Sequence, residues 1–228
     1  MRDLNTYGVP VIIVLAVALL EWLDLDHKIM AMVYDPAIHA FPLRHHWLTE
    51  GVIHTLGRQL IAVLGVTVLL AFASSLLLPA LKSVRWEWGF VVLSILVSTL
   101  CISTLKATTG VHCAYDLALY GGDQPANQLA NLWLGGGACW PGGHVSGPLS
   151  LIAIYFAFFQ KQRWLAVGGL ALGLVLGLIF GIGQTLRGAH FPSHTLWSLL
   201  IVWLVNIILA KLLLPSSLKQ SLESGTIS

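Results

Sequence analysis

Three short stretches carry the residues with chemistry to offer. RGAHFPSH, residues 187–194, sets an arginine and two histidines four apart between two long hydrophobic runs. CWPGGHVSGP contributes Pro141, Gly142, Gly143 and His144, and LKATTGVHC contributes Lys106. Histidine suits both nucleophilic attack and proton transfer because its pKa lies near operating pH. Lysine and arginine hold anionic oxygens. A glycine pair lets backbone approach closely, and a helix opening behind it turns its first N–H groups toward an anion. His190 and His194 also have the i, i+4 spacing that sets two imidazoles on one metal, and His45-His46 would add more ligands. Against a metal hydrolase or transporter, the acidic companion of the usual zinc-protease helix is missing and Pro192 interrupts the turn.

The elements that must position these residues are hydrophobic. Of 228 residues 57% are hydrophobic and only 10% charged, where a soluble domain is nearer a quarter charged, so the chain reads as an integral membrane protein. Six apolar runs, at roughly 7–23, 60–81, 88–105, 145–160, 164–184 and 195–214, approach the length of a membrane-crossing helix. Their continuity favours helices over the alternating strands of a barrel. The expectation is an all-α membrane protein, a six-helix bundle over 1–215 with a flexible serine-rich tail over 216–228. The first run is followed by Glu21, Asp24 and Asp26 without a clear small-residue cleavage site, so it is taken as a span rather than a secretion signal. A net charge of +2 gives no reason to expect a nucleic-acid partner.

Lys82 with Arg85, and Lys161 with Arg163, lie in the two shortest connections, while Arg2, Lys211 and Lys219 flank the ends. The positive-inside bias makes these cytoplasmic, with both termini inside. The connections 24–59, 106–144 and 185–194 then face outward and hold all nine histidines and all three motifs. His54 and Arg58, one turn apart, would cover the resulting pocket, but no motif supports them. Span centres that are almost wholly apolar argue against a channel or transporter. Cys113 and Cys139 share one outer connection and would form a disulfide if that side is a bacterial periplasm. Such a closure is worth about 3 kcal/mol in the chain-entropy picture.

Together the motifs resemble the type 2 phosphatidic acid phosphatase superfamily, whose pattern is K-x6-R-P, P-S-G-H and S-R-x5-H-x3-D on the outer edges of a six-helix core. Lys106 matches the first motif, Pro141, Gly143 and His144 the second, and His190 the third. The chain departs at Cys113 and Gln184, where the family has arginines, at Gly142, where it has serine, and at His194, where it has aspartate. Arg187, three residues beyond Gln184, falls on nearly the same helical face if the span continues that far.

The resemblance implies a lipid phosphatase of the bacterial inner membrane with its site facing the periplasm. His190 would form a phosphohistidine, and His144 would protonate the leaving group and then activate water. His194 would partner His190, and Lys106, Arg187, Gly142 and Gly143 would hold the phosphate. No metal or other cofactor is implied. The substrate would be a membrane phospholipid or lipid-linked phosphate: phosphatidic acid, phosphatidylglycerol phosphate, undecaprenyl pyrophosphate or lipid A. A lipid phosphotransferase of the same superfamily is the alternative, since a phosphohistidine can be discharged to a lipid acceptor as well as to water.

Overall fold

The computed structural model describes residues 7–126, 133 and 136–213; the tail 216–228 and the flanking Arg2 and Lys219 lie outside them. Within them the chain is all-helical. The elements run α1 (Val9–Trp22), α2 (Leu25–Val33), a π-helical turn (Trp47–Leu56) continuing into α3 (Gly57–Leu77), and a 3-10 turn (Pro79–Val84) before α4 (Arg85–Thr108). Then follow α5 (Gly143–Ser150), α6 (Ala153–Phe158), α7 (Arg163–Leu186) and α8 (Pro192–Leu213).

Four of the described helices are long and apolar enough to cross a membrane: Trp47–Leu77, Pro79–Thr108, Arg163–Leu186 and Pro192–Leu213. The first and fourth expected spans are shorter. The 14 residues of α1 rise about 21 Å, less than the about 30 Å of hydrocarbon in a typical bilayer. The run expected at 145–160 is broken. Pro148 inside α5 cannot donate to the helix, and beyond it Leu151 and Ile152 turn back onto the carbonyls of Pro148 and Leu149.

That break is tolerable because of where it sits. Leu149, Leu151, Ile152, Ala153 and Phe158 are all buried, so α5 and α6 fill the middle of the bundle rather than face lipid. Outward-facing Leu60, Val63, Leu69 and Leu70 of α3, and Val175 and Leu178 of α7, remain exposed, as a lipid-facing surface requires. The approach of α7 to α5–α6 depends on small residues one turn apart. A methyl on Gly169 would stand 2.5 Å from Cβ of Ile154, and one on Gly173 3.0 Å from Cγ1 of Ile152. Within the spans, the polar Ser94 and Ser98 of α4 and Asn206 of α8 are fully buried.

The two short basic connections meet at one end, where Lys161 pairs with the buried Glu87 at 2.7 Å and donates to the Ser83 carbonyl at 2.6 Å. At the opposite end three connections interlock. Thr109 Oγ1 donates to the Trp140 carbonyl at 2.6 Å, Tyr115 N–H to Gly188 at 2.9 Å, and Ser198 Oγ to Gly142 at 3.2 Å. Cys113 and Cys139 are joined as a disulfide, Cα–Cα 5.1 Å, which staples the exit of α4 to the entry of α5. In protein isolated from an oxidising compartment, mass spectrometry of unreduced digests should return these peptides cross-linked. Free alkylatable thiols at both positions would refute the pairing.

The first outer connection folds over this end. Its Met30 and Phe41 pack with Leu117, Tyr120 and Phe191. Asp26 accepts the Ser193 N–H at 3.0 Å and also the Ser193 hydroxyl, which caps the start of α8 with a carboxylate borrowed from α2.

Candidate active site

Each motif residue stands at a helix end that its own sequence creates. Lys106 lies in the last turn of α4 and His144 in the first turn of α5. Arg187 caps the C-terminus of α7. His190 lies in the turn that Gly188, at φ 70°, allows before α8, and His194 follows in the first turn of that helix. A methyl on Gly143 would press on Lys106, 3.3 Å from Cδ and 3.4 Å from Nζ, so the glycine makes room for the ammonium beside the uncapped N-terminus of α5. Gly142 is the residue before that helix, and its carbonyl is taken by Ser198.

His190 and His194 are buried, 3% and 5% exposed, and their Nδ1 atoms approach to 3.4 Å. Both imidazoles are also hydrogen-bonded to the backbone of Cys139, the residue locked by the disulfide. Burial pushes His190 well below the usual imidazole value of 6.5, and the neighbouring His194 and Lys106 push it further; the Cys139 backbone opposes them. His190 is therefore neutral at neutral pH. Its Nδ1 faces the Nδ1 of His194, an arrangement in which one ring donates and the other accepts.

His144 and His190 lie close enough to interact, and Lys106 acts on both. The charge of Arg187 also acts on His144, but its guanidinium, 13% exposed, is held from behind: Nε donates to the Arg44 carbonyl at 3.0 Å and one terminal nitrogen pairs with Glu50 at 3.5 Å. The structure thus brings Lys106, His144, His190, His194, Arg187 and the Gly142-Gly143 turn to one place. Gln184 is 2% exposed, its carbonyl receives the Ala189 and His190 N–H groups, and its Nε2 has no partner among the described residues.

His54 belongs to none of the three motifs, yet its ring lies against that of His144, centroids 4.2 Å apart and planes tilted by 33°. The turn spacing to Arg58 was the only sequence signal, and Arg58 acts on both imidazoles. Glu50 and Arg44, which brace Arg187, gave none. His45 pairs with Glu50 at 3.0 Å. Among the described residues no group of three or more His, Cys, Asp or Glu side chains is placed to hold a metal ion.

Chemically, the cluster offers a neutral nucleophilic imidazole, a second imidazole able to exchange a proton, and cationic and N–H groups for anionic oxygens. The sequence model of the PAP2 superfamily matches residues 87–216, more than half of the chain. No curated protein and no solved structure gives a match.

Proposed function

The chain belongs to the PAP2 superfamily, and on that premise we propose that it is a membrane lipid phosphatase working through a phosphohistidine. The observation that carries this reading is the convergence of Lys106, His144 and the buried, neutral His190 at one end of an apolar helix bundle. A headgroup can reach that end while its tails stay in the bilayer.

In the first half-reaction Nε2 of His190 attacks phosphorus, the bond to the leaving oxygen breaks, and His144 gives that oxygen its proton. In the second, water attacks the phosphohistidine, His144 takes a proton from it, and the P–N bond breaks to release phosphate. Lys106, Arg187 and the N–H groups at the start of α5 hold the equatorial oxygens through both steps. His194 and the Cys139 carbonyl fix the orientation of His190.

We place α1 and the α5–α6 pair as the remaining two of six spans. Both termini are then cytoplasmic and the site faces the periplasm of a bacterial inner membrane. The basic residues of the two short connections support this orientation.

The test is phosphate release by the purified protein in detergent across phosphatidic acid, phosphatidylglycerol phosphate, undecaprenyl pyrophosphate and lipid A. Release from at least one lipid, unaffected by chelator and inhibited by vanadate as a mimic of pentacoordinate phosphorus, is the expected outcome. Activity on soluble esters alone, or activity lost in chelator and restored by zinc or magnesium, would contradict it.

A further inference from the structure

The π-helical turn Trp47–Leu56 and the start of α3 lie outside the family-matched residues 87–216, yet they touch the centre of the site. Their docking onto α7 depends on two missing side chains. A methyl on Gly183 would stand 2.7 Å from Cγ2 of Ile53, and one on Gly57 would stand 2.5 Å from Cζ of Phe180. A π-helical turn widens the helix locally and is common where a helix serves a site. Here it turns Glu50 and His54 inward together, Glu50 onto Arg187 and His54 onto His144. Arg58 follows one turn after His54, exposed, and close enough for its charge to act on both imidazoles.

Position gives this second group its role. The proton donor marks where the leaving oxygen departs, and the ring that lies against His144, that of His54 at 4.2 Å between centroids, stands on the leaving-group side. Lys106 lies against Gly143 and Arg187 is tethered by Arg44 and Glu50, so both belong to the phosphoryl clamp. His54 and Arg58 are left over. The one carboxylate that acts on His54 is Glu50, which is committed to Arg187 and His45. A cation and an imidazole at this place have no counterpart to meet in a diacylglycerol or other neutral alcohol. They match a leaving group that is itself an anion.

Building on the phosphatase reading above, we propose that His54 and Arg58 form a leaving-group subsite selecting substrates whose leaving group carries its own phosphate, as in a diphosphate or a phosphodiester-bearing phosphomonoester. Such a substrate spans the two groups, its terminal phosphoryl on Lys106 and Arg187 and its second phosphate on Arg58 and His54. A simple phosphomonoester fills only the first.

The test is calorimetric binding of inorganic pyrophosphate and of orthophosphate to the full chain in detergent, run beside the lipid assay. Pyrophosphate is expected to bind about tenfold tighter than orthophosphate, the worth of one charge-assisted contact. Arg58→Gln and His54→Gln should each collapse that ratio toward one. Arg58 is exposed, so its replacement does not endanger folding. In the lipid assay the same variants should lower kcat/KM for undecaprenyl pyrophosphate relative to phosphatidic acid by a similar factor. Equal affinity for the two anions in the unmodified protein, or an equal loss of both in Arg58→Gln, would overturn the subsite. A protein inert on every lipid that still binds pyrophosphate selectively, with the ratio lost in Arg58→Gln, would support the subsite and sink the phosphatase reading alone.

Discussion

Replacing His190 with alanine is expected to lower turnover by more than about ten-thousandfold, to the level supported by binding and the oxyanion clamp alone. The loss is total because no other imidazole occupies its place: His194 is turned toward His190 itself, Nδ1 to Nδ1, and His144 serves the leaving oxygen. His190→Gln keeps polar bulk in a position only 3% exposed and should be equally inactive, which separates lost chemistry from a collapsed site. The pH dependence carries a second signature. Burial first, then His194 and Lys106, hold His190 well below 6.5, so protonation removes the nucleophile only at a pH far below that value. The acid limb of kcat/KM due to this group should therefore lie well under pH 6.5. An acid limb near 6.5 that persists in His144→Ala would contradict the buried, neutral nucleophile.

His144→Ala is expected to slow turnover by about a hundred- to ten-thousandfold, the range for a lost general acid, and unevenly across substrates. An alcohol leaving group needs the proton badly and should suffer most. A phosphate leaving group departs without it and should suffer least. Phosphatidic acid and undecaprenyl pyrophosphate span that contrast, and steady-state kcat on each measures it. An equal loss on both would mean that His144 does not protonate the leaving oxygen.

Much of the helical frame was legible because hydropathy reports lipid-facing length directly. The runs expected at 164–184 and 195–214 became Arg163–Leu186 and Pro192–Leu213. What hydropathy cannot see is a break inside an apolar run, and the run at 145–160 gave no warning beyond Pro148 that it would turn at Leu151. It equally misses a helix that carries polar residues for a purpose. Glu50 and His54 made Trp47–Leu56 look like loop, although it is a helical turn continuous with α3.

The site divides along the same line. Lys106, His144 and His190 were recognisable because local motifs hold them, and the arrangement brings them together. Partners that act across the fold left no mark in spacing. Asp26 caps α8 from 167 positions away, and the Arg44 carbonyl holds Arg187 from 143 away. The Cys139 backbone that steadies both His190 and His194 is likewise invisible, since any residue type supplies a carbonyl. His54 stands outside every motif, and its contact with His144 is a consequence of docking against Gly183.

The measurement that bears most directly on the phosphohistidine mechanism is alkaline-quenched labelling with a lipid carrying radioactive phosphate on its reacting group, followed by peptide mapping. A phosphohistidine survives base and is lost in acid, which distinguishes it from a phosphoserine or an acyl phosphate. The account predicts a base-stable, acid-labile label on the peptide that contains His190. It predicts none in His190→Ala, and a label that persists in His144→Ala when the lipid is a diphosphate. Undiminished label in His190→Ala, or label mapping to the peptide that contains His144, would contradict it.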